Sequence, residues 1–361
     1  MKNNYFFTGF PGFITSSLLK ELVKEEHQIN HIYLLVLPQT LKQAEESLHN
    51  IPIESSKLTI LTGDITKKDL NIASELMPIL QESITHVFHL AAIYDIAVPK
   101  SLAEKINVHG TKMVNDWVQT LNNLKRYVYF STAYVSGRRE GNILETDLDE
   151  GQTFKNHYEQ TKFVAEIEVQ KIVSKVPTTI IRPGIVKGHS KTGATIKFDG
   201  PYFMLNMFEA LKASPYIPYF GSGRVEGNFV PVDYVISATI YLAHVDKAIG
   251  QTYHLTDPSP YPMREVYRML MKEYLNQSPK ATVPLSVAKS FLIIPPLRKR
   301  LKIEREGLDY FTCKSHYDTT NAVRDLEGSG IQCPDFKETV AKMVEYYRIH
   351  KDDETKHIQI K

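Results

Sequence analysis

The chain has 361 residues, 42% of them hydrophobic and 23% charged, with a formal net charge of +2. Those are ordinary values for a globular protein built from one domain of usual size and a smaller lobe. The basic residues form no dominant stripe, which argues against nucleic acid as a partner. Cys313 and Cys333 are too few for a disulfide framework or a zinc ribbon, so no metal is expected.

In chain order, short apolar runs predict strands over 5–8, 32–36, 58–61, 86–90, 127–130 and 178–181. Several are nearly continuous in apolar residues, the pattern of parallel strands buried on both faces. Helical periodicity lies between them over 14–24, 41–48, 101–121 and 157–173. Such βαβ alternation predicts a doubly wound parallel α/β sheet. No internal repeat or low-complexity segment interrupts it. After Pro183 the character changes. Glycine, proline and aromatic residues crowd into 184–227, followed by a helix over 232–244, a strand over 252–255 and helices over 262–275 and 336–350. The expected division is a main domain over 1–185 with 228–256 returning to it. Residues 186–227 and 257–350 form a smaller C-terminal substrate lobe, and 351–361 a flexible tail. No run approaches the ~20 apolar residues of a membrane span. Met1-Lys2-Asn3-Asn4 leads into a strand without a secretory pattern, so a cytoplasmic location is expected.

Thr8-Gly9-Phe10-Pro11-Gly12-Phe13-Ile14-Thr15 joins the first strand to the first helix. Gly9 permits a tight turn and Gly12 a close backbone approach to a dinucleotide pyrophosphate at the helix N-terminus. Thr15 replaces the third glycine of that fingerprint. The second strand ends in Leu35-Val36-Leu37-Pro38-Gln39-Thr40-Leu41-Lys42, with neither a carboxylate for a ribose 2′-hydroxyl nor an arginine for a 2′-phosphate. Lys42 is the nearest cation, which favours NADP(H) and leaves NAD(H) open.

Tyr158-Glu159-Gln160-Thr161-Lys162 sets a tyrosine and a lysine at i and i+4 on one helix face. Tyr310/Lys314 and Tyr347/Lys351 share that spacing, but only Tyr158 stands beside a strand that ends in Ser131-Thr132-Ala133. A phenol titrates near ~10 unless a neighbouring ammonium lowers it. Lys162 is expected to do that and to bind the cofactor ribose. Thr132, or Ser131 if the register slips by one, is expected to hold the substrate oxygen on which charge develops.

Together with Gly63-Asp64, His89-Leu90-Ala91-Ala92 and Asn107, these residues resemble the extended short-chain dehydrogenases/reductases, with their Rossmann-type sheet. Val87-Phe88-His89-Leu90-Ala91-Ala92-Ile93-Tyr94-Asp95, Ile181-Arg182-Pro183-Gly184-Ile185-Val186 and Asn228-Phe229-Val230-Pro231-Val232-Asp233-Tyr234 are most similar to the fatty acyl-CoA reductase and thioester reductase branch. The resemblance implies Tyr158 as proton donor, Lys162 as its activator and Thr132 as the carbonyl-binding hydroxyl. It places Thr8 to Ile14, with Asn107, in the cofactor site. Asp64 and Ile65 would flank the adenine, Ala91 and Ala92 the ribose side, and Pro183, Gly184 and Ile185 the nicotinamide. Leu37 stands where NADPH-using relatives carry arginine. The implied activity is NAD(P)H-dependent reduction of a long-chain acyl thioester to an aldehyde, with further reduction to the alcohol left open. A nucleotide-sugar epimerase or dehydratase, or a hydroxysteroid-type dehydrogenase, is the alternative within the superfamily.

Two segments suggest where a long apolar substrate would lie. Pro201-Tyr202-Phe203-Met204-Leu205-Asn206-Met207-Phe208 is one; Leu285, Val287, Phe291, Leu292, Ile293 and Ile294 form the other. Arg298, Lys299, Arg300 and Lys302 then suggest a basic mouth facing an acyl carrier or an anionic membrane surface.

Overall fold

The computed structural model describes residues 2–24, 28–94, 98–214, 216–291, 294–302 and 312–357. Its strands are β1 (Asn3–Thr8), β2 (Ile29–Val36), β3 (Leu58–Thr62), β4 (His86–His89), β5 (Arg126–Phe130), β6 (Gly141–Ile143), β7 (Thr178–Pro183), β8 (Ile185–Lys187), β9 (Tyr219–Phe220), β10 (Phe229–Pro231), β11 (Thr252–Leu255), β12 (Thr282–Val283) and β13 (Ser315–Tyr317). The helices are α1 (Phe13–Lys24), α2 (Leu41–Leu48), α3 (Met77–Ser83), α4 (Lys100–Ala103), α5 (Thr111–Val118), α6 (His157–Gln170), α7 (Tyr202–Leu211), α8 (Val232–His244), α9 (Met263–Leu275), α10 (Leu285–Phe291), α11 (Pro295–Leu301), α12 (Thr320–Leu326) and α13 (Phe336–His350).

Seven strands form one parallel sheet in the order β11-β7-β5-β4-β1-β2-β3. Its strands are apolar because both faces are covered. In β1, Tyr5 and Phe7 pack into one core with α1 and α8, while Phe6 points the other way against Trp117 of α5. The Phe7 and Phe88 rings, neighbours in register on β1 and β4, stack at 4.7 Å. The chain runs outward from β1 to β2 and β3, then crosses back to β4 on the other side of β1. That reversal opens a crevice beyond the carboxyl ends of the strands.

The helix expected over 101–121 runs without a break from Lys100 to Val118, its middle widened into a π-helical segment, Glu104–Gly110, between α4 and α5. Gly110 lies at its end, where a Cβ would stand 2.7 Å from Ile65 Cδ1. A second core joins α7, α9 and α13 through Tyr202, Leu205, Phe208, Tyr267, Leu270, Val344 and Tyr347. α8 packs into the core of the main sheet, and β11 forms its edge beside β7.

The segment after α13 departs from the expected free tail. Phe198 N donates to Lys356 O at 2.7 Å, Lys302 pairs with Glu354 at 2.9 Å, and buried His357 meets the Phe198 ring edge-on. Backbone and aromatic contacts therefore hold 351–357 against the body; 358–361 lie outside the described residues. Among the described residues, no helix is long and apolar enough to cross a membrane.

Candidate active site

A cavity of about 1400 Å³ runs from the glycine turn, past the ends of β4, β5 and β7, and into the C-terminal lobe. Gly9 turns at φ +90°, and a Cβ there would lie 2.8 Å from Ala91 N. A Cβ on Gly12 would lie 2.7 Å from Gly9 O. Both glycines are therefore dictated by backbone packing. Thr8, Phe10, Pro11, Phe13, Ile14 and Thr15 line the same cradle, as do Asp64, Ile65, Ala91, Ala92, Pro183, Gly184 and Ile185. Thr15 is buried, so the branched side chain at the third glycine position is absorbed by the core. Asp64 Oδ1 accepts from Thr66 N at 2.8 Å, and the buried Thr66 hydroxyl beside it has no partner among the described residues. The open backbone cradle and the orphaned hydroxyl fit a dinucleotide, with its pyrophosphate at the start of α1.

Two predicted cofactor residues sit elsewhere. Lys42 is exposed and does not line the cavity; Leu37, Gln39, Thr40 and Gln43 do. Asn107 is buried in the π-helical turn outside the lining. Its carboxamide accepts from Ile93 N at 2.8 Å and donates to Ile93 O and to Thr161 Oγ1, both at 3.0 Å. It thus ties the loop after β4 to α6 and positions the site from behind. Gln43 and Thr66 were not singled out from the sequence; their polar side chains among loop residues carry no distinctive signal.

α6 begins where Asn156 caps it: Asn156 Oδ1 accepts from Glu159 N at 2.9 Å, and Glu159 reaches back to Lys155 N at 3.1 Å. That register puts Tyr158 in the first turn, facing the end of β5. Thr132 is the hydroxyl bonded to the Tyr158 phenol, while Ser131 Oγ donates to Glu166 instead. Of Ser131 and Thr132, it is thus Thr132 whose hydroxyl adjoins Tyr158. Tyr347, with the same spacing to a lysine, is a core residue that donates to Asn206 Oδ1 at 2.9 Å, and Lys351 pairs with Glu209. Tyr310 lies outside the described residues, as does Asp95.

The electrostatics differ from expectation. Burial pushes the Tyr158 phenol up to about 12, with the Thr132 hydroxyl opposing the rise. Lys162 Nζ donates to Phe130 O at 2.5 Å and to Tyr129 OH at 3.1 Å, and burial brings it down to about 7 against the pull of Glu166. The expected lowering of Tyr158 by Lys162 is therefore absent, because desolvation outweighs it and the ammonium is held by β5. Tyr158 stays a phenol, the form of an acid. Lys162 has the titration near neutrality, and its charge is lost as pH rises through about 7. Dinucleotide affinity should fall over that range if the ammonium holds the ribose. Dissociation constants measured from pH 6 to 9 test this: a flat profile assigns Lys162 no charge in binding. Folding follows the opposite slope. A lysine whose folded value lies below its unfolded one adds stability as pH rises from about 7 toward 10.5.

Behind Lys162 a buried chain of hydrogen bonds continues. Tyr129 OH bonds the Thr111 hydroxyl, Thr111 Oγ1 lies 3.1 Å from His89 Nε2, and His89 Nδ1 lies 2.8 Å from Thr8 Oγ1. Thr8 Oγ1 also accepts from Leu90 N and Ala91 N. Its own proton is thus assigned to His89 Nδ1, which leaves the Nε2 proton for Thr111. Burial lowers His89 to about 3, so the ring is neutral.

Phe203, Met204, Met207, Phe220, Phe229, Met263 and Tyr267 form the far apolar end of the cavity. Of the predicted segments, part of α7 contributes. In the other segment, Leu285 packs toward the second core, and Val287 and Ile294 are exposed without lining the cavity. Leu292 and Ile293 lie outside the described residues. Arg298, Arg300 and Lys302 do not line it either. Lys105 and Lys197 do, beside the exposed Tyr94 and Ile196.

An NAD-binding family described as Male sterility protein matches residues 7–239. The chain is 27% identical over 356 residues to the non-canonical nonribosomal peptide synthetase cpsA of Aspergillus campestris, covering 89% of this chain and 33% of that one. It is 27% identical over 273 residues to the fatty acyl-CoA reductase wat of Drosophila melanogaster, covering 65% and 53%. It thus spans a third to a half of these curated relatives. The terminal R domain from the myxalamid PKS-NRPS biosynthetic pathway superposes with a TM-score of 0.80 at 24% identity, covering 97% of this chain and 91% of that one. A glycine cradle, a tyrosine–lysine helix and a family match over more than half the residues converge: the chain belongs to the Male sterility protein family of the extended short-chain dehydrogenase/reductase superfamily.

Proposed function

We propose that the chain is an NAD(P)H-dependent oxidoreductase that reduces a long-chain acyl thioester to the aldehyde. The observation that carries the reading is the Tyr158–Thr132 hydroxyl pair, set between a dinucleotide cradle and an apolar pocket. Pro183, Gly184 and Ile185 would hold a reduced nicotinamide, which would supply the hydride. Thr132 donates to the carbonyl oxygen as negative charge develops there. The C–H bond forms at the carbonyl carbon, the C–S bond breaks, and the Tyr158 proton neutralises the departing sulfur. The far pocket holds the acyl chain by burial and offers few polar groups to a sugar. NADPH or NADH consumption with a panel of acyl thioesters, aldehydes and nucleotide sugars tests this. Efficiency should rise several-fold per two carbons, since each buried methylene contributes up to ~0.8 kcal/mol. A flat series, or turnover only with nucleotide sugars, overturns the reading.

NADPH is the proposed cofactor, with weak discrimination, because Leu37, Gln39, Thr40 and Gln43 present no charge to a 2′-phosphate. Leu37→Arg should raise the NADPH-to-NADH ratio of catalytic efficiencies by about 10-fold through a charge-assisted hydrogen bond. A wild-type preference for NADH would assign the cofactor the other way.

A further inference from the structure

Asp199 stands in the wall of this mostly apolar cavity. Its backbone is fixed from both sides: Phe198 N donates to Lys356 O, and Tyr202 N donates to Asp199 O at 3.1 Å. Its carboxyl has no such duty. Among the described residues it makes no ion pair and receives no hydrogen bond beyond that of its own N–H. Burial pushes the acid up to about 6, with the Lys197 ammonium opposing. The residue is half-buried and borders the cavity, so a donor on a bound molecule can reach its carboxyl.

Its position narrows the donor. Lys197 lies over the ring of the exposed Tyr94 at 5.1 Å, on the outer rim. Gly200, on the other side, abuts Ile185, and a Cβ there would come to 2.6 Å from Ile185 Cγ2. Asp199 therefore stands in the chain between Lys197 at the rim and Gly200, which abuts Ile185. A thioester with its acyl chain in the apolar pocket would run its thiol arm out by the rim, where Lys197 and Asp199 are close in the chain and both line the cavity.

We propose that Asp199 recognises the thiol arm, its carboxyl accepting an amide N–H of the pantetheine group common to coenzyme A and acyl carrier proteins; this rests on the thioester reading above. A hydrogen-bond donor on the acyl group is the other source of the same chemistry, and the experiment separates the two. The substrates are one acyl chain as its pantetheine thioester, as a simple alkanethiol ester without amides, and as the pantetheine thioester bearing a chain hydroxyl. An unreactive S-alkyl pantetheine thioether measures binding by calorimetry.

In wild type the pantetheine thioester should exceed the amide-free ester in kcat/KM by roughly 10- to 100-fold, the worth of a hydrogen bond to a charged group. Asp199→Leu should collapse that ratio toward one, through KM, and weaken thioether binding by the same factor. Asp199→Asn, which keeps a carbonyl acceptor, should retain part of both. Unchanged dinucleotide affinity in the variants certifies the fold. A ratio that survives Asp199→Leu overturns the proposal, as does a loss confined to the hydroxylated chain, which would move the contact to the acyl end. If wild type reduces no thioester yet binds the thioether through Asp199, the reductase reading fails and the arm site stands.

Discussion

Tyr158→Phe should lower turnover by about 10²–10⁴-fold, the usual worth of a positioned general acid, and leave dinucleotide affinity nearly unchanged. The substitution removes one hydroxyl. The ring keeps its place in the first turn of α6, and the Lys162 contacts to Phe130 and Tyr129 are untouched. Thr132 loses its partner, so the residual rate measures what the hydroxyl of Thr132 and the bound geometry achieve alone. Tyr347→Phe is the control. It deletes a hydrogen bond to Asn206 in the second core and should cost about 1 kcal/mol of stability without touching turnover. Steady-state kinetics with a thioester, alongside fluorescence titration of the nucleotide, reads both quantities. Equal turnover in Tyr158→Phe and wild type would remove Tyr158 from the mechanism.

The second large effect lies beneath the site. Arg182 on β7 donates to Glu166 on α6 through Nε at 2.9 Å and Nη2 at 2.5 Å, with both side chains essentially inaccessible. The same carboxylate accepts from Ser131, and Arg182 also reaches Glu145 O and His254 Nε2. Burial holds His254 down to about 3, so it meets the guanidinium as a neutral acceptor. Arg182→Leu leaves the Glu166 charge buried without its partner and should destabilise the fold by about 3–5 kcal/mol. The double change Arg182→Leu with Glu166→Leu should recover much of that loss. Denaturant unfolding of the three proteins decides the point; a single-variant loss below about 1 kcal/mol would show that solvent reaches the pair.

Much of the main sheet was legible because its signals are local. Continuous apolar runs mark strands buried on both faces, and the turn after β1 declares itself by glycines that backbone packing requires. Tyr158 was separable from Tyr347 because the strand beside it ends in Ser131-Thr132. What escaped the sequence is contact across long separations. Nothing near Arg182 announces a partner on α6, and nothing near Asn107 announces a π-helical turn that aims it at Ile93 and Thr161. The charge state of the Tyr158/Lys162 pair differs from expectation for the same reason. Spacing puts Lys162 one turn from Tyr158, but the direction of the ammonium is set by Phe130 O and Tyr129 OH on another element. The polar run after α13 read as a tail because its anchor, Phe198, is far away in sequence.

The buried chain from Lys162 through Tyr129, Thr111 and His89 to Thr8 has a consequence for redesign. Tyr129, Thr111 and His89 in its middle are buried, so removing one of these leaves two neighbours without a partner. Losses along it should be sub-additive: once Thr111→Val has broken the chain, His89→Leu should cost less than it does alone. Libraries that seek a new cofactor preference are therefore better aimed at Leu37, Gln39, Thr40 and Gln43, which border the cavity away from this chain. There, substitutions should act independently of the chain and leave the tie between α6 and the glycine turn intact.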